Sequence, residues 1–199
     1  VTNLNALLAA SSSYSYRQIV FRETNVPLNT DISIPVGINA RVDIVCEGRE
    51  SGVQFTGAGV TYGLLFGNPG AAPGTYAYAG TVRNCLISGD TVAKRGVSFV
   101  NTQGGGVSST IFRDFNGAGV YYKSVLMSHL RNSYILSAGK SEASVIVTAD
   151  DSAGNYSTTF LWDHNLIDSG TAPASSSGMV GLSIDRTIGA TIVGGAIQS

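Results

Sequence analysis

Apolar residues in this chain recur in short alternating runs, and turn-forming residues separate the runs. RVDIVCEG (41–48) alternates at Val42, Ile44 and Cys46. IVFRE (19–23), the ISI of PLNTDISIPVG (27–37), GVQFTG (52–57) and TYGLLF (61–66) repeat that pattern, so each is predicted to be a strand. NPGAAPGTYAYAG (68–80) is rich in Gly, Pro and Ala and is expected to be a loop carrying Tyr76 and Tyr78. LNALLAA could form two helical turns, too few to be stable alone. The organisation expected is a leader over 1–18 and one β-domain over 19–199.

Beyond residue 80 the strands fall into two interleaved families. One comprises GVSFVN (96–101), GVYYKS (119–124), VIVTAD (145–150) and GLSIDR (181–186). The other starts at Val82 (VRNCLISG), Leu130 (LRNSYILS), Trp162 (WDHNLIDS) and Ile188 (IGATIVGG), with a looser copy at Ile111 (IFRDFNGA). Uneven spacing of the starts fits a repeat with insertions at its loops. Coils of two or three short strands satisfy both families if each coil stacks in parallel on the last, roughly 4.8 Å away. The fold class is therefore all-β: a parallel β-helix, a single-stranded solenoid about seven coils tall. A β-sandwich would need two-residue hairpin turns, and Asn-Gly or Asp-Gly pairs are scarce here.

Stacked coils turn the repeat into columns. Val82, Leu130, Trp162 and Ile188 should share one inward column, and Ile87, Ile135, Ile167 and Val193 another. Trp162 is thus expected in the core. Asn84 and Asn132 fall where the chain bends, and are expected to stack and bond turn backbone. Arg113, His164 and Ala190 interrupt that stack, and the Gly after each motif is expected to permit the turn.

Composition narrows the partners. Of 199 residues only 13% are charged, the formal net charge is −1, and no basic run suggests nucleic acid. Cys46 and Cys85 each lie within an apolar pattern, which favours two buried thiols; a disulfide is the alternative that spacing leaves open. There is no metal-ligand spacing, no cofactor motif and no run of membrane-spanning length. The first residues lack an initiator Met and a positively charged signal region, and the last lie inside a repeat. Both features point to a processed product or an excised piece of a longer helix.

The V-x-N-x-x-I-x-G pattern at Val82, Asn84, Ile87 and Gly89, its copy at Leu130, Asn132 and Ile135, and ISIPVGINARVDIVCEG (32–48) resemble the coils of bacteriophage tailspike and capsule-depolymerase proteins. Those belong to the pectate-lyase-like superfamily of right-handed parallel β-helices. The resemblance implies a homotrimer on an extracellular virion tail that binds and cleaves a bacterial surface polysaccharide, hydrolysis being favoured over lysis. Two alternatives stay open: a receptor-binding or structural spike segment without catalysis, and a secreted microbial polysaccharide lyase. Paired-Asp and calcium-binding signatures of the pectinolytic relatives have no clean match here.

Glycoside hydrolysis needs two carboxyl groups, about 5–5.5 Å apart for retention or about 6.5–9.5 Å for inversion, and neighbouring coils or coils two apart can supply either. The position after the first apolar column should face solvent; it holds Arg83, Phe112, Arg131, Asp163 and Gly189. Arg131, Asp163, His164, Asp168, Asp185 and Arg186 form the densest ionisable set. Asp163 and Asp185 are the candidate carboxylates, and Arg131 or Arg186 the candidate ligands for an acidic sugar. Each also has a plain reading: surface pairs contribute little, Asp168 suits a turn, and His164 suits a backbone bond. Tyr76, Tyr78 and Tyr121 are candidate stacking platforms, with Tyr121 and Tyr122 on opposite faces of their strand. Asp114, Glu142 and the Asp150–Asp151 loop tip are weaker candidates.

Overall fold

The computed structural model describes residues 16–37, 41–48, 50–72, 74–136, 138, 141–150, 156–168 and 181–198. The expected LNALLAA helix, Asp151 and Gly139 lie outside these. The described chain winds through three sheets in turn. Sheet 1 stacks β1 (Tyr16–Phe21), β4 (Arg41–Cys46), β8 (Thr81–Arg83), β11 (Gly106–Ser108), β14 (His129–Arg131), β18 (Leu161–Asp163) and β22 (Thr191–Val193). Sheet 2 stacks β2 (Val26–Leu28), β5 (Gly52–Phe55), β9 (Leu86–Ser88), β12 (Ile111–Arg113), β15 (Tyr134–Leu136), β19 (Leu166–Asp168) and β23 (Ala196–Gln198). Sheet 3 stacks β3 (Ile32–Ile34), β6 (Leu64–Gly67), β10 (Val97–Gln103), β13 (Val120–Leu126), β16 (Val145–Thr148) and β20 (Leu182–Ile184), with β7 (Ala77–Tyr78), β17 (Ser157–Thr158) and β21 (Thr187–Ile188) beside them. Every pairing between these strands is parallel, so the molecule is a parallel β-helix. β1 takes in three residues expected in the leader, and β7 forms within the expected loop.

Strands of three residues place one side chain inward and two outward. On sheet 1 the inward column is Ile19, Ile44, Val82, Val107, Leu130, Trp162 and Ile192. On sheet 2 it is Val26, Val53, Ile87, Phe112, Ile135, Ile167 and Ile197. Burying each of the inner members, Ile44 to Trp162 and Val53 to Ile167, contributes roughly 1.5–3 kcal/mol, whereas Ile192 and Ile197 at the end of the described stack are exposed. Inside sheet 3, Phe66, Phe99 and Tyr122 stack with ring centroids 4.7 and 5.2 Å apart, close to the coil spacing. The Gly-Val family pairs as expected, Val97 on Val120 on Val145 on Leu182.

Two column members differ from expectation: Ile192 and Ile197 hold the places assigned to Ile188 and Val193. The reason lies at the corner between sheets 1 and 2. There the first bend residue of each of five coils adopts positive φ: Asn84 (60°), Ser109 (50°), Asn132 (47°), His164 (50°) and Gly194 (57°), the last followed by Gly195 (97°). Asn, Ser, His and Gly all serve this bend, so the motif has no constant letter there. The looser copy at Ile111 is likewise out of step: Phe112 is fully buried in the sheet 2 column, and Gly189 sits in the bend before β22. Val107 and Ser108 take the expected positions instead.

The polar ladder also lies one residue beyond the asparagines. Asn84 and Asn132 are exposed, whereas Cys85, Thr110, Ser133 and Asn165 are buried. Asn165 Nδ2 donates to Leu130 O (2.8 Å), and its Oδ1 accepts from Ser133 N (3.0 Å). Ser133 Oγ accepts from Thr110 N (3.3 Å), and Thr110 Oγ1 from Cys85 N (3.4 Å). At the base of this ladder Cys46 and Cys85 form a disulfide between neighbouring coils, Cα–Cα 4.9 Å, in place of the two thiols favoured from sequence. Spacing of 39 residues could not reveal that the coils set them side by side. Gly89 is not at positive φ; it is small because the Phe115 ring presses against it.

Candidate functional site

Outside, the bend between sheets 1 and 2 borders an open groove of about 570 Å³. Asn84, Ser109 and Asn132 line it from the corner, Ile111, Tyr134 and Leu136 from sheet 2, and Cys46, Gly48 and Cys85 at one end. Positive φ turns each corner side chain away from the core, so amide and hydroxyl groups repeat along the groove at the coil spacing. Tyr134 is 49% exposed and presents a ring among them.

The outward column of sheet 1 next to this corner runs Arg83, Ser108, Arg131, Asp163 and Val193. Arg131 and Asp163 are register neighbours, as expected, with Nε–Oδ2 at 3.9 Å. His164 Nδ1 lies 2.5 Å from Asp163 Oδ1, a side-chain contact where a backbone bond was expected. The parallel column carries Asp43, Thr81, Gly106 and His129. Asp43 is buried and accepts from Tyr16 OH (2.9 Å) and Thr81 N (2.7 Å), with Arg41 and Arg83 each at 3.8 Å. That acceptance, with the carboxylate charge, raises the Tyr16 hydroxyl above its ordinary pKa. His129 Nε2 lies 3.4 Å from Ser108 Oγ. Its ring lies on the backbone of Gly106, where any Cβ would overlap it. Burial, and then the Arg131 charge, push its pKa below the ordinary imidazole value.

The other expected site residues are dispersed. Asp185 follows β20 on sheet 3 and pairs with its own neighbour Arg186 (3.7 Å), so it stands on a different sheet from Asp163. Arg186 is itself a bend residue at positive φ. Asp168 instead shares a coil with Asp163: it lies on the sheet 2 side of the corner, in register with the groove-lining Leu136. Tyr122 is core and Tyr121 faces out, as the alternation requires. The Tyr121 ring is 9% exposed, however, because the Arg95 guanidinium stacks on it 3.6 Å from its centroid. Tyr76 is half-buried, which raises its hydroxyl pKa, and Tyr78 is exposed on β7. Asp114 pairs with Arg113 (3.8 Å), Asp150 with Lys123, and Glu142 with Arg95. Among the described residues no three His, Cys, Asp or Glu gather as a metal site. Sequence reasoning missed Ser108, His129 and Tyr134. The signal was GVSSTIF at 106–112, which repeats the sheet 1–corner–sheet 2 pattern with Ser-Thr in place of Asn-Cys.

No family model matches the chain, and no curated protein matches it. The crystal structure of a putative glycosyl hydrolase from Parabacteroides merdae is similar in fold, with a TM-score of 0.50 over 94% of this chain and 89% of that one. Identity is 10%, so the likeness concerns the fold alone.

Proposed function

We propose that this β-helix binds a polysaccharide lengthwise in the groove between sheets 1 and 2 and hydrolyses it where Asp163 and Asp168 flank the corner. The carrying observation is a groove lined by Asn84, Ser109 and Asn132 at the corner and by Ile111, Tyr134 and Leu136 of sheet 2, with the column of Arg83, Ser108, Arg131 and Asp163 on the adjoining edge of sheet 1. Repeating hydrogen-bonding groups suit the repeating hydroxyls of a glycan, and an exposed ring suits the apolar face of a sugar. Arg131 suits an acidic sugar. Asp163 and Asp168 lie on the two strands of one coil that meet at the corner, which makes them the candidate pair for acid and base or nucleophile. Asp185, on sheet 3, has no part in this reading. The description of the Parabacteroides protein as a putative glycosyl hydrolase agrees with it. The tailspike-like coils support a phage-tail homotrimer, which sedimentation equilibrium tests: a monomer mass removes that part.

Incubation with a panel of bacterial surface polysaccharides, following reducing ends and absorbance near 232 nm together, tests the reaction. New ends without absorbance are expected; absorbance rising with the ends would make the enzyme a lyase. Asp163→Asn and Asp168→Asn should each abolish cleavage and retain binding in affinity electrophoresis. Tyr134→Ala should weaken binding. Unchanged turnover in both Asp variants overturns the assignment.

A further inference from the structure

The Ser108–His129 pair is not used by glycoside hydrolysis, yet it stands on sheet 1 beside the same corner, Ser108 next to the groove-lining Ser109. Ser108 is partly exposed, its Oγ lies 3.4 Å from His129 Nε2, and it occupies the column between Arg83 and Arg131. Each Arg is one coil away, roughly 4.8 Å along the axis. Three features of this placement fit acyl transfer. A serine hydroxyl becomes a nucleophile when a positioned imidazole takes its proton. The imidazole must be neutral to do so, and burial and Arg131 favour that form of His129. Negative charge developing on the carbonyl oxygen needs a fixed donor. Arg131, paired with Asp163 at 3.9 Å, is in register with Ser108 and supplies guanidinium N–H groups. Gly106 completes the set, because only a residue without Cβ lets the His129 ring settle there.

From this geometry we infer that Ser108 and His129 form a serine esterase dyad that removes O-acyl groups, acetyl above all, from the sugar chain in the groove. The glycan as acyl carrier rests on the reading proposed above; the ester chemistry does not. Ser108 Oγ attacks the acyl carbon while its proton passes to His129 Nε2. The bond between that carbon and the sugar oxygen breaks, and the sugar oxygen takes the proton from His129. Water then attacks the acyl-serine, giving one proton to His129. Free carboxylic acid leaves, and the proton returns to Ser108.

Two substrates separate this inference from the glycan reading. p-Nitrophenyl acetate needs no glycan site, whereas acetate release from O-acetylated surface polysaccharide needs both. The purified protein should hydrolyse the first, and a fluorophosphonate probe should add to the peptide containing Ser108, read by mass spectrometry. Ser108→Ala should remove the adduct and lower hydrolysis by about 100-fold or more, and His129→Gln by about 100-fold. Gly106→Ala, which leaves both groups present, should lower kcat with little change in KM, and thermal melts should confirm that all three variants are folded. Hydrolysis of the small ester without deacetylation of any glycan would leave the dyad standing and count against the glycan as acyl carrier. Wild-type rates in Ser108→Ala, or an adduct elsewhere, overturn the dyad.

Discussion

At the scale of the residue, the corner between sheets 1 and 2 divides its work between two neighbours. The first, at positive φ, makes the bend and turns its side chain outward; the second turns inward and must satisfy backbone groups that the bend leaves unpaired. Asn165 does this most completely, donating to one coil's carbonyl and accepting from its amide. Asn165→Ala would strand the buried Ser133 N–H and the Leu130 carbonyl. We expect a loss of about 2 kcal/mol, read as a lowered midpoint in urea unfolding with unchanged slope. A midpoint equal to wild type would show that the ladder carries no net stability. A positive-φ position accepts Asn, Ser, His or Gly, so identity along the chain breaks down there although geometry is constant. Ser109 and Gly194 consequently obscured two copies that Asn84 and Asn132 made visible.

Between elements, a polar cluster around Arg95 ties down part of the outward face of sheet 3. Arg95, just before β10, gives Nε and Nη2 to the Glu142 carboxylate (2.8 and 3.1 Å) and stacks on Tyr121 of β13. Arg95 is buried and Glu142 nearly so, so breaking the pair leaves an uncompensated charge. Glu142→Ala should cost about 3 kcal/mol. The double variant Arg95→Met with Glu142→Leu should recover most of that loss, measured as a coupling in a double-mutant cycle. Additive single effects would show that the two side chains act independently. Legibility at this scale followed the physics of alternation. Val82, Leu130 and Trp162, and Ile87, Ile135 and Ile167, were readable as columns because only inward positions must be apolar. Outward positions carry no such constraint, so the Arg131–Asp163 neighbourhood could be read by counting from the core, but the wall bearing Asp185 could not. Nor could Arg95 be foreseen on Tyr121, since no periodicity links a connection to the face of a later strand.

The whole molecule is a stack in which each coil touches chiefly the coils on either side, so its stability is a sum of neighbouring contacts. The Cys46–Cys85 bond joins two adjacent coils of that stack at the end of the groove. Closing a loop of 39 residues in the unfolded chain is worth about 4 kcal/mol on the loop-entropy model. Replacing both cysteines by Ala should therefore lower stability by about 2–4 kcal/mol. Loss of protection should centre on β4, β5, β8 and β9 in hydrogen exchange. Uniform loosening along the axis would contradict a stack of local contacts.

Whether that cross-link closes depends on the redox surroundings in which the chain folds. Oxidants of an exported or extracellular space would weld the two turns together as the chain folds, whereas cytoplasmic glutathione would hold them apart. The same polypeptide drawn from the two sources should differ in resistance to proteases, the reduced form being cut first near the groove.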